Sequence, residues 1–394
     1  MRVLHLTTEF PPIVYGGLGT ALGGMTVASV QAGMTVGVLL AGHMSLGGYD
    51  LPRTPGHESG DFLQATSIYK GVKIFYAPSY APVKAAVHLV QLWKPDVVHL
   101  HVFWLWPVAQ AIQQLTGVPL IYHVHSLDRA EYDLGDGPPE CLTQWCQQQA
   151  AIHAADLVIA LTHNEQALLA EYCPSVRKRV RIVGNGVTDT AAARQALQHR
   201  SAAAAPALVL YVGRFVERKG LRELLAAIPS VLKQAPATRF VFAGGHRDSS
   251  GQEMEQHWLP HDLLPYRSQI VFTGWLSTAK LMQWYTAADV LVVPSWYEPF
   301  GMVILEGMLY GLAVVAADIG GPAEILEDQR TGILFPARDA EALADALMRL
   351  LSNAKYRYEL GIAAAEEVRN HWLWSNSIRS LGACYHEASY RPST

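Results

Sequence analysis

Short runs of apolar, often β-branched residues recur along this chain, separated by longer stretches with helical spacing. Residues 3–7, 35–40, 72–76, 97–100, 120–123, 157–160 and 180–183 read as strands. They are mostly continuous apolar runs rather than alternating ones, which is the pattern of strands buried on both faces of a parallel sheet. With helical stretches in most of the gaps, residues 1–189 predict a doubly wound α/β domain. A second series starts at Leu208 and includes 239–243, 270–272, 290–293, 313–316 and 333–335, so 207–370 predict another domain of the same class. Between them, 190–206 is rich in alanine and glutamine and lacks strand character; it reads as the inter-domain connection, a short helix and a linker. The last stretch, 371–394, opens His371-Trp-Leu-Trp374 and is amphipathic.

Chemistry concentrates where strands end. The run Asp289-Val-Leu-Val-Val-Pro294 is followed by Ser-Trp-Tyr-Glu298-Pro-Phe-Gly301-Met-Val-Ile-Leu-Glu306, with two carboxylates eight positions apart. A loop carrying Glu298 thus enters a helix whose free N–H groups begin near Gly301, and such a start can cradle phosphate. Carboxylates suit sugar hydroxyls better than phosphate. The set points to a sugar nucleotide, with Glu298 toward the hexose, the amides of Gly301, Met302 and Val303 toward the diphosphate and Glu306 toward the ribose; a structural turn with two unrelated surface acids is the bland alternative. A second motif narrows the choice. In Leu208-Val-Leu-Tyr-Val-Gly213-Arg214-Phe-Val-Glu-Arg-Lys219-Gly220 a strand runs into a glycine, and two cations follow five positions apart before a helix over 221–234. Arginine forks phosphate oxygens and lysine adds a point charge, as a departing diphosphate requires. Arg218 and Arg222 are expected to be solvated. In paired α/β halves ligands lie in a crevice at the carboxyl ends of the strands, into which Gly16 to Thr20, His125, Arg214 and Glu298 would project.

Arg214 and Lys219 followed by Glu298 and Glu306 resemble the signature of retaining glycosyltransferases of the GT-B fold, family 4 type, related to the glycogen and starch synthases. Other stretches agree in order: Phe10-Pro-Pro-Ile-Val-Tyr15-Gly16-Gly17-Leu-Gly19-Thr20 is similar to their glycine-rich first loop, Pro95-Asp-Val-Val-His99-Leu-His101 to their histidine-bearing strand, and Val183-Gly-Asn185-Gly186-Val187 to their hinge. Asp318-Ile-Gly320-Gly321-Pro-Ala-Glu324 and Thr331-Gly332-Ile-Leu-Phe335 are similar to two later loops. The resemblance implies two Rossmann-like domains facing across a cleft, the first for the acceptor and the second for the nucleotide sugar. It also implies a C-terminal helix that crosses back to the first domain. By resemblance Arg214, Lys219, Glu298 and His125 are catalytic. Gly16, Gly17, Gly301, Met302, Val303 and Glu306 would bind the donor, with its base near Trp275 and Leu276. The implied reaction moves a hexosyl group, glucose-like, from a UDP- or ADP-sugar to an acceptor hydroxyl with retention, needing no cofactor and no metal. One departure is Val14, where bacterial glycogen synthases carry a lysine; it bears on ADP-glucose as the donor.

Histidines add ambiguity. His125 and His123 share a strand face in Ile121-Tyr-His-Val-His125, and only the resemblance selects His125; His99 and His101 end another strand. Because no carboxylate or cysteine accompanies them with ligand spacing, no metal site is expected. Trp104, Trp106 and Tyr132 lie near these strand ends, where they would stack on an acceptor or pack the rim. The near-match Gly17-Leu-Gly19-Thr-Ala-Leu-Gly23 places its last glycine one residue late for a dinucleotide fingerprint.

Composition sets outer bounds. A chain of 394 residues, half of them hydrophobic, has the length for two domains. Its net charge of −4 argues against a nucleic-acid partner. Four cysteines without metal or disulfide-scaffold spacing suit a reducing cytoplasm. No signal peptide is read and no apolar run approaches a membrane span. The basic cluster Arg177-Lys178-Arg179 with Arg181 is the place where peripheral membrane contact would arise. The acceptor, whether glucan, lipid-linked sugar, small metabolite or peptide, is left open. Two other readings of the pattern are a non-catalytic sugar-nucleotide-binding protein and a sugar-nucleotide epimerase. Glycosyl phosphorylases share the fold but are longer.

Overall fold

Continuous apolar strands must be covered on both faces, and the chain does this twice, in two separate sheets. A computed structural model describes residues 1–14, 16–41, 67–77, 82–202 and 206–390. One compact unit comprises Met1–Arg129, Pro139–Gly184 and Trp374–Thr394; the other comprises Ala130–Pro138 and Asn185–Leu373. Tyr15 of the glycine-rich loop and residues 203–205 of the expected connection lie outside the described residues. That connection holds a helix, Ala191–Gln198, within the second unit.

The first unit contains β1 (Arg2–Thr7), β2 (Thr35–Leu40), β3 (Ser67–Tyr69), β4 (Val72–Tyr76), β5 (Val97–Leu100), β6 (Leu120–His123), β7 (Leu157–Ala160) and β8 (Val180–Ile182), in the sheet order β3-β4-β2-β1-β5-β6-β7-β8. The second contains β9 (Leu208–Gly213), β10 (Arg239–Gly244), β11 (Ile270–Gly274), β12 (Val290–Val293), β13 (Ala313–Ala317) and β14 (Ile333–Phe335), in the order β11-β10-β9-β12-β13-β14. Each strand read from the sequence is present, to within two residues at its ends. β3, which the sequence reading missed, is a three-residue edge strand antiparallel to β4; the other pairings are parallel.

Both sheets reverse their winding at their first strand. β2 and β5 flank β1, and β10 and β12 flank β9. In open α/β sheets, ligands sit beyond the carboxyl ends of the strands at such reversals. The ends of β1 and β5, and of β9 and β12, are therefore where function is to be sought.

Packing around these points is tight. In the second unit the helix Leu221–Gln234 buries Leu221, Leu224, Leu225, Ile228, Val231 and Leu232 as one stripe against the sheet. Phe242 and Phe272 stack beneath it with centroids 4.8 Å apart. In the first unit the helix Gly17–Gln31 packs against the C-terminal helix Trp374–Ser389. Contact is close because Gly24 has no side chain: a Cβ there would lie 2.0 Å from Nε1 of Trp374, which is buried. Gly19 and Gly23 similarly leave room for Glu9 and Pro11. These contacts give the glycine spacing of the near-fingerprint a packing explanation.

The basic cluster is partly spent on internal contacts. Arg181 pairs with Glu387 (Nε to Oε2 3.0 Å), and Arg179 donates to the carbonyls of His153 and Ala155 at the end of the helix Glu140–Ala154. Arg177 and Lys178 remain exposed. Among the described residues no helix is long and apolar enough to cross a membrane.

Gly24→Ala is expected to destabilise the first unit by about 1–3 kcal/mol through overpacking against Trp374. In a Trp374→Ala background the same change should cost clearly less. Denaturant melts of the four proteins measure this coupling, and simple additivity would contradict it.

Candidate active site

In the second unit two loops from neighbouring strands are locked together. β9 ends at Gly213, Arg214 follows at the surface, and Phe215 returns to the core. The chain then makes a short turn, Glu217–Lys219, and reaches Gly220 at φ 67°. That left-handed conformation favours glycine. A Cβ at 220 would also stand 1.8 Å from the carbonyl oxygen of Pro294, just beyond β12. The Trp296 amide donates to the Arg218 carbonyl at 2.7 Å.

This close approach brings half-buried Lys219 and buried Glu298 into an ion pair, with the Ser295 hydroxyl 3.4 Å from the same carboxylate oxygen. Burial works to raise the Glu298 pKa, but Lys219 and Arg218 outweigh it and the net shift is downward. Burial lowers that of Lys219, against the pull of Glu298. Arg218 corrects the sequence reading, which made it a solvated cation. It is buried, paired with Glu131 at 2.9 Å, and donates to the Tyr297 carbonyl at 3.2 Å. Arg222 is exposed and paired with Glu217, as expected.

Beyond Glu298 the chain enters the helix Met302–Leu309 through Gly301 at φ 105°. The Ile304 amide already bonds the Gly301 carbonyl at 2.9 Å, so the amides of Met302 and Val303 precede the first turn's bonding and are the ones such a helix start offers to a ligand. The Asp318 to Glu324 motif has a local role here. The Gly321 amide holds the Glu298 carbonyl at 2.9 Å, and a Cβ at 321 would meet the Phe300 carbonyl oxygen at 2.0 Å.

Glu306, on the same helix, accepts a hydrogen bond from the Tyr285 hydroxyl at 2.7 Å. Part of its side chain meets solvent, yet protein surrounds it closely enough that desolvation pushes its pKa up to about 6, against the Tyr285 hydrogen bond. Trp275 and Leu276 follow Gly274 and are half-buried, the Trp275 amide bonding the Ser249 carbonyl at 2.9 Å.

The first unit gathers its polar residues at the ends of β1, β5 and β6. Gly16 and Gly17 begin the helix Gly17–Gln31, with Gly17 exposed. Five histidines cluster in and just beyond β1, β5 and β6. His5 Nδ1 is 2.9 Å from His101 Nε2, His101 Nδ1 is 3.0 Å from His125 Nε2, and His99 Nδ1 is 2.8 Å from the Tyr385 hydroxyl. His123 stacks on His125 with centroids 4.5 Å apart. Burial holds the cluster neutral, with His125 and His5 lowered to about 3. Sequence reasoning named both His-x-His strand ends, 99/101 and 123/125, and expected no metal site from them; what it lacked is that the two strands are adjacent. Trp104 is half exposed and packs edge-on against Phe103.

With this geometry in place the likeness to known proteins can be read. Residues 16–186 match the family model described as a glycosyl transferase 4-like domain, and residues 206–353 match the one for glycosyl transferases group 1. The D-inositol 3-phosphate glycosyltransferase of Thermobifida fusca is 31% identical over 314 residues, covering 75% of this chain and 70% of that one. The chain belongs to the group 1 glycosyltransferases. The glycogen synthase of Mycobacterium tuberculosis resembles this glycosyltransferase along nearly its whole length, at 26% identity over 98% of this chain and 94% of the relative. Among solved structures, Anabaena HepE in complex with UDP-glucose superposes with a TM-score of 0.72 at 19% identity, covering 98% of this chain and all of that one; the likeness is in the GT-B fold.

The raised pKa of Glu306 has a measurable consequence for this glycosyltransferase. A carboxyl whose folded pKa exceeds its unfolded value, here about 6 against 4.5, stabilises the fold fully below 4.5 and loses that contribution as pH rises through 6. Glu306→Gln should therefore gain about 1–2 kcal/mol relative to the parent between pH 4.5 and 7. Denaturant melts across this window provide the check, and a difference that does not vary with pH would contradict the raised pKa.

Proposed function

We propose that this glycosyltransferase moves a hexosyl group, glucose-like, from a UDP- or ADP-sugar to an acceptor hydroxyl with retention at the anomeric carbon. The observation that carries the reading is the convergence of Lys219 and Glu298 at the winding reversal of the second sheet, just before a glycine-led helix start. The solved UDP-glucose complex and the glycogen synthase relative support the donor class.

In this assignment Arg214 and Lys219 neutralise the leaving diphosphate, and the amides of Gly301, Met302 and Val303 hold its oxygens. Glu298 binds hydroxyls of the donor sugar and favours oxocarbenium character at C1 without attacking it. The bond from C1 to the phosphate oxygen breaks, the acceptor oxygen bonds to C1 on the same face, and its proton passes to the departing phosphate oxygen. Lys219 and Glu298 begin as partners. The donor supplies each with a new one, phosphate for the ammonium and sugar hydroxyls for the carboxylate. Glu306 grips the ribose, and Trp275 and Leu276 flank the base. From the first unit we assign His125 to the reacting sugar and the amides at Gly16 and Gly17 to the diphosphate. Two fixed cations supply the charge that a divalent ion supplies elsewhere, so transfer is read as metal-independent. A cytoplasmic setting fits cysteines 141, 146, 173 and 384, all free thiols.

A thermal-shift panel of UDP-, ADP- and GDP-sugars, followed by mass-spectrometric detection of released nucleoside diphosphate, tests the reading. One donor class should raise the melting point by mass action and release its diphosphate. Binding without release across a broad acceptor set would favour a non-catalytic sugar-nucleotide-binding protein, and conversion of the donor alone to an isomer would favour an epimerase. Arg214→Ala should lower turnover by about 100-fold or more. Glu298→Gln, similar in size but uncharged, should also slow transfer, and full turnover in either variant would remove that residue from the mechanism.

A further inference from the structure

The histidine cluster has more buried nitrogens than the protein satisfies. His5, His99 and His123 are fully buried, yet Nε2 of His5, Nε2 of His99 and both ring nitrogens of His123 have no hydrogen-bond partner in the protein. Buried polar atoms in native proteins are almost always paired, and a ligand held between His101, His123 and His125 would give His123 the partner the polypeptide does not provide. One ring nitrogen from each of His101, His123 and His125 lies within 4.8 Å of the other two.

We propose that His101, His123 and His125 form a binding site for a borderline transition-metal ion, with zinc the best fit. Three neutral imidazoles are the donor set that suits zinc, and burial keeps all three unprotonated. Two nitrogens about 2.05 Å from a tetrahedral zinc stand roughly 3.3 Å apart. Nδ1 of His101 and Nε2 of His125 are already 3.0 Å apart, so an ion takes the place of the shared proton with a small outward movement, and His125, still neutral, carries that proton on Nδ1 instead. His5 completes the design. Its Nδ1 sits 2.9 Å from the other nitrogen of His101, the place where a ligating histidine usually hands its remaining N–H to an orienting partner. Accepting that N–H fixes His101 with its Nδ1 lone pair toward the ion. His125 is half-buried where its two co-ligands are buried, which gives the ion a way in and leaves the fourth position to water.

Metal binding stands on this geometry alone. Its consequence for transfer rests on the role proposed for His125: an ion held there withdraws that imidazole from the sugar, and zinc would inhibit.

The test uses the full chain without a histidine tag, dialysed against chelator. Calorimetric titration with zinc should show one equivalent bound at micromolar Kd or tighter. Cobalt(II) should give the absorption of a tetrahedral site with nitrogen and oxygen ligands, displaced by zinc. His123→Phe keeps a ring in the stack and removes the ligand, and should abolish stoichiometric binding. His5→Phe should weaken binding by about 10–100-fold. Circular dichroism establishes that each variant is folded, and His125→Gln, at the most accessible position, gives an independent ligand deletion. Absence of stoichiometric binding to the parent overturns the proposal, as does parent-like affinity in the folded His123→Phe and His125→Gln proteins. Because the readout is binding, the result does not depend on transfer activity.

Discussion

The contact on which the second unit's chemistry depends is the meeting of the Gly220 backbone with the Pro294 carbonyl. It pins together two loops that leave neighbouring strands and sets Lys219 against Glu298, 79 residues away in sequence. A buried ion pair is a poor source of stability, because desolvating two charges costs several kcal/mol each and mutual attraction repays it only in good geometry. Backbone contacts supply that geometry: the Trp296 amide on the Arg218 carbonyl and the Gly321 amide on the Glu298 carbonyl hold both ends of the pair in place. The charges are thus gathered by the fold itself, which is the preorganisation that the electrostatic role proposed for them requires.

The two units handle polar groups in opposite ways. The second unit buries charges and pairs them, Lys219 with Glu298 and Arg218 with Glu131. The first buries imidazoles and keeps them neutral. Each solution suits what is near at hand. Fixed cations beside carboxylates retain charge in a dry setting, whereas several like-charged histidines within one cluster would repel each other as well as lose their hydration. Glu306 is intermediate, a carboxyl that desolvation acts on with one hydroxyl donor, Tyr285, to offset it, and its pKa rises accordingly.

Much of this was visible in the residue order. A parallel strand buried on both faces writes itself as a near-continuous apolar run, so the boundaries of β2, β5, β6 and β12 follow from composition. Chemistry placed just after such runs marked Arg214, Lys219 and Glu298. What escaped notice depended on residues distant in sequence. Arg218 looks like one more surface cation until Glu131, from another part of the chain, is seen beside it. The histidine cluster needs β1, β5 and β6 to be neighbours, which sequence alternation does not specify. β3 has three residues and an edge position, too little for a periodic signal. Gly24 was legible as a glycine, but the need for it comes from Trp374, near the other end of the chain.

The hydrogen bond between Tyr385 and His99 and the seat of Trp374 against Gly24 mean that the first unit is closed by the helix Trp374–Ser389. The second unit, by contrast, draws most of its residues from the continuous stretch Asn185–Leu373. During synthesis from the N-terminus, the first sheet therefore emerges before the helix that covers Gly24 and pairs Nδ1 of His99. The second unit acquires nearly all its partners while the first still lacks part of its cover. Order of synthesis and order of completion are thus reversed between the two units, and the earlier-made sheet waits longer for its cover.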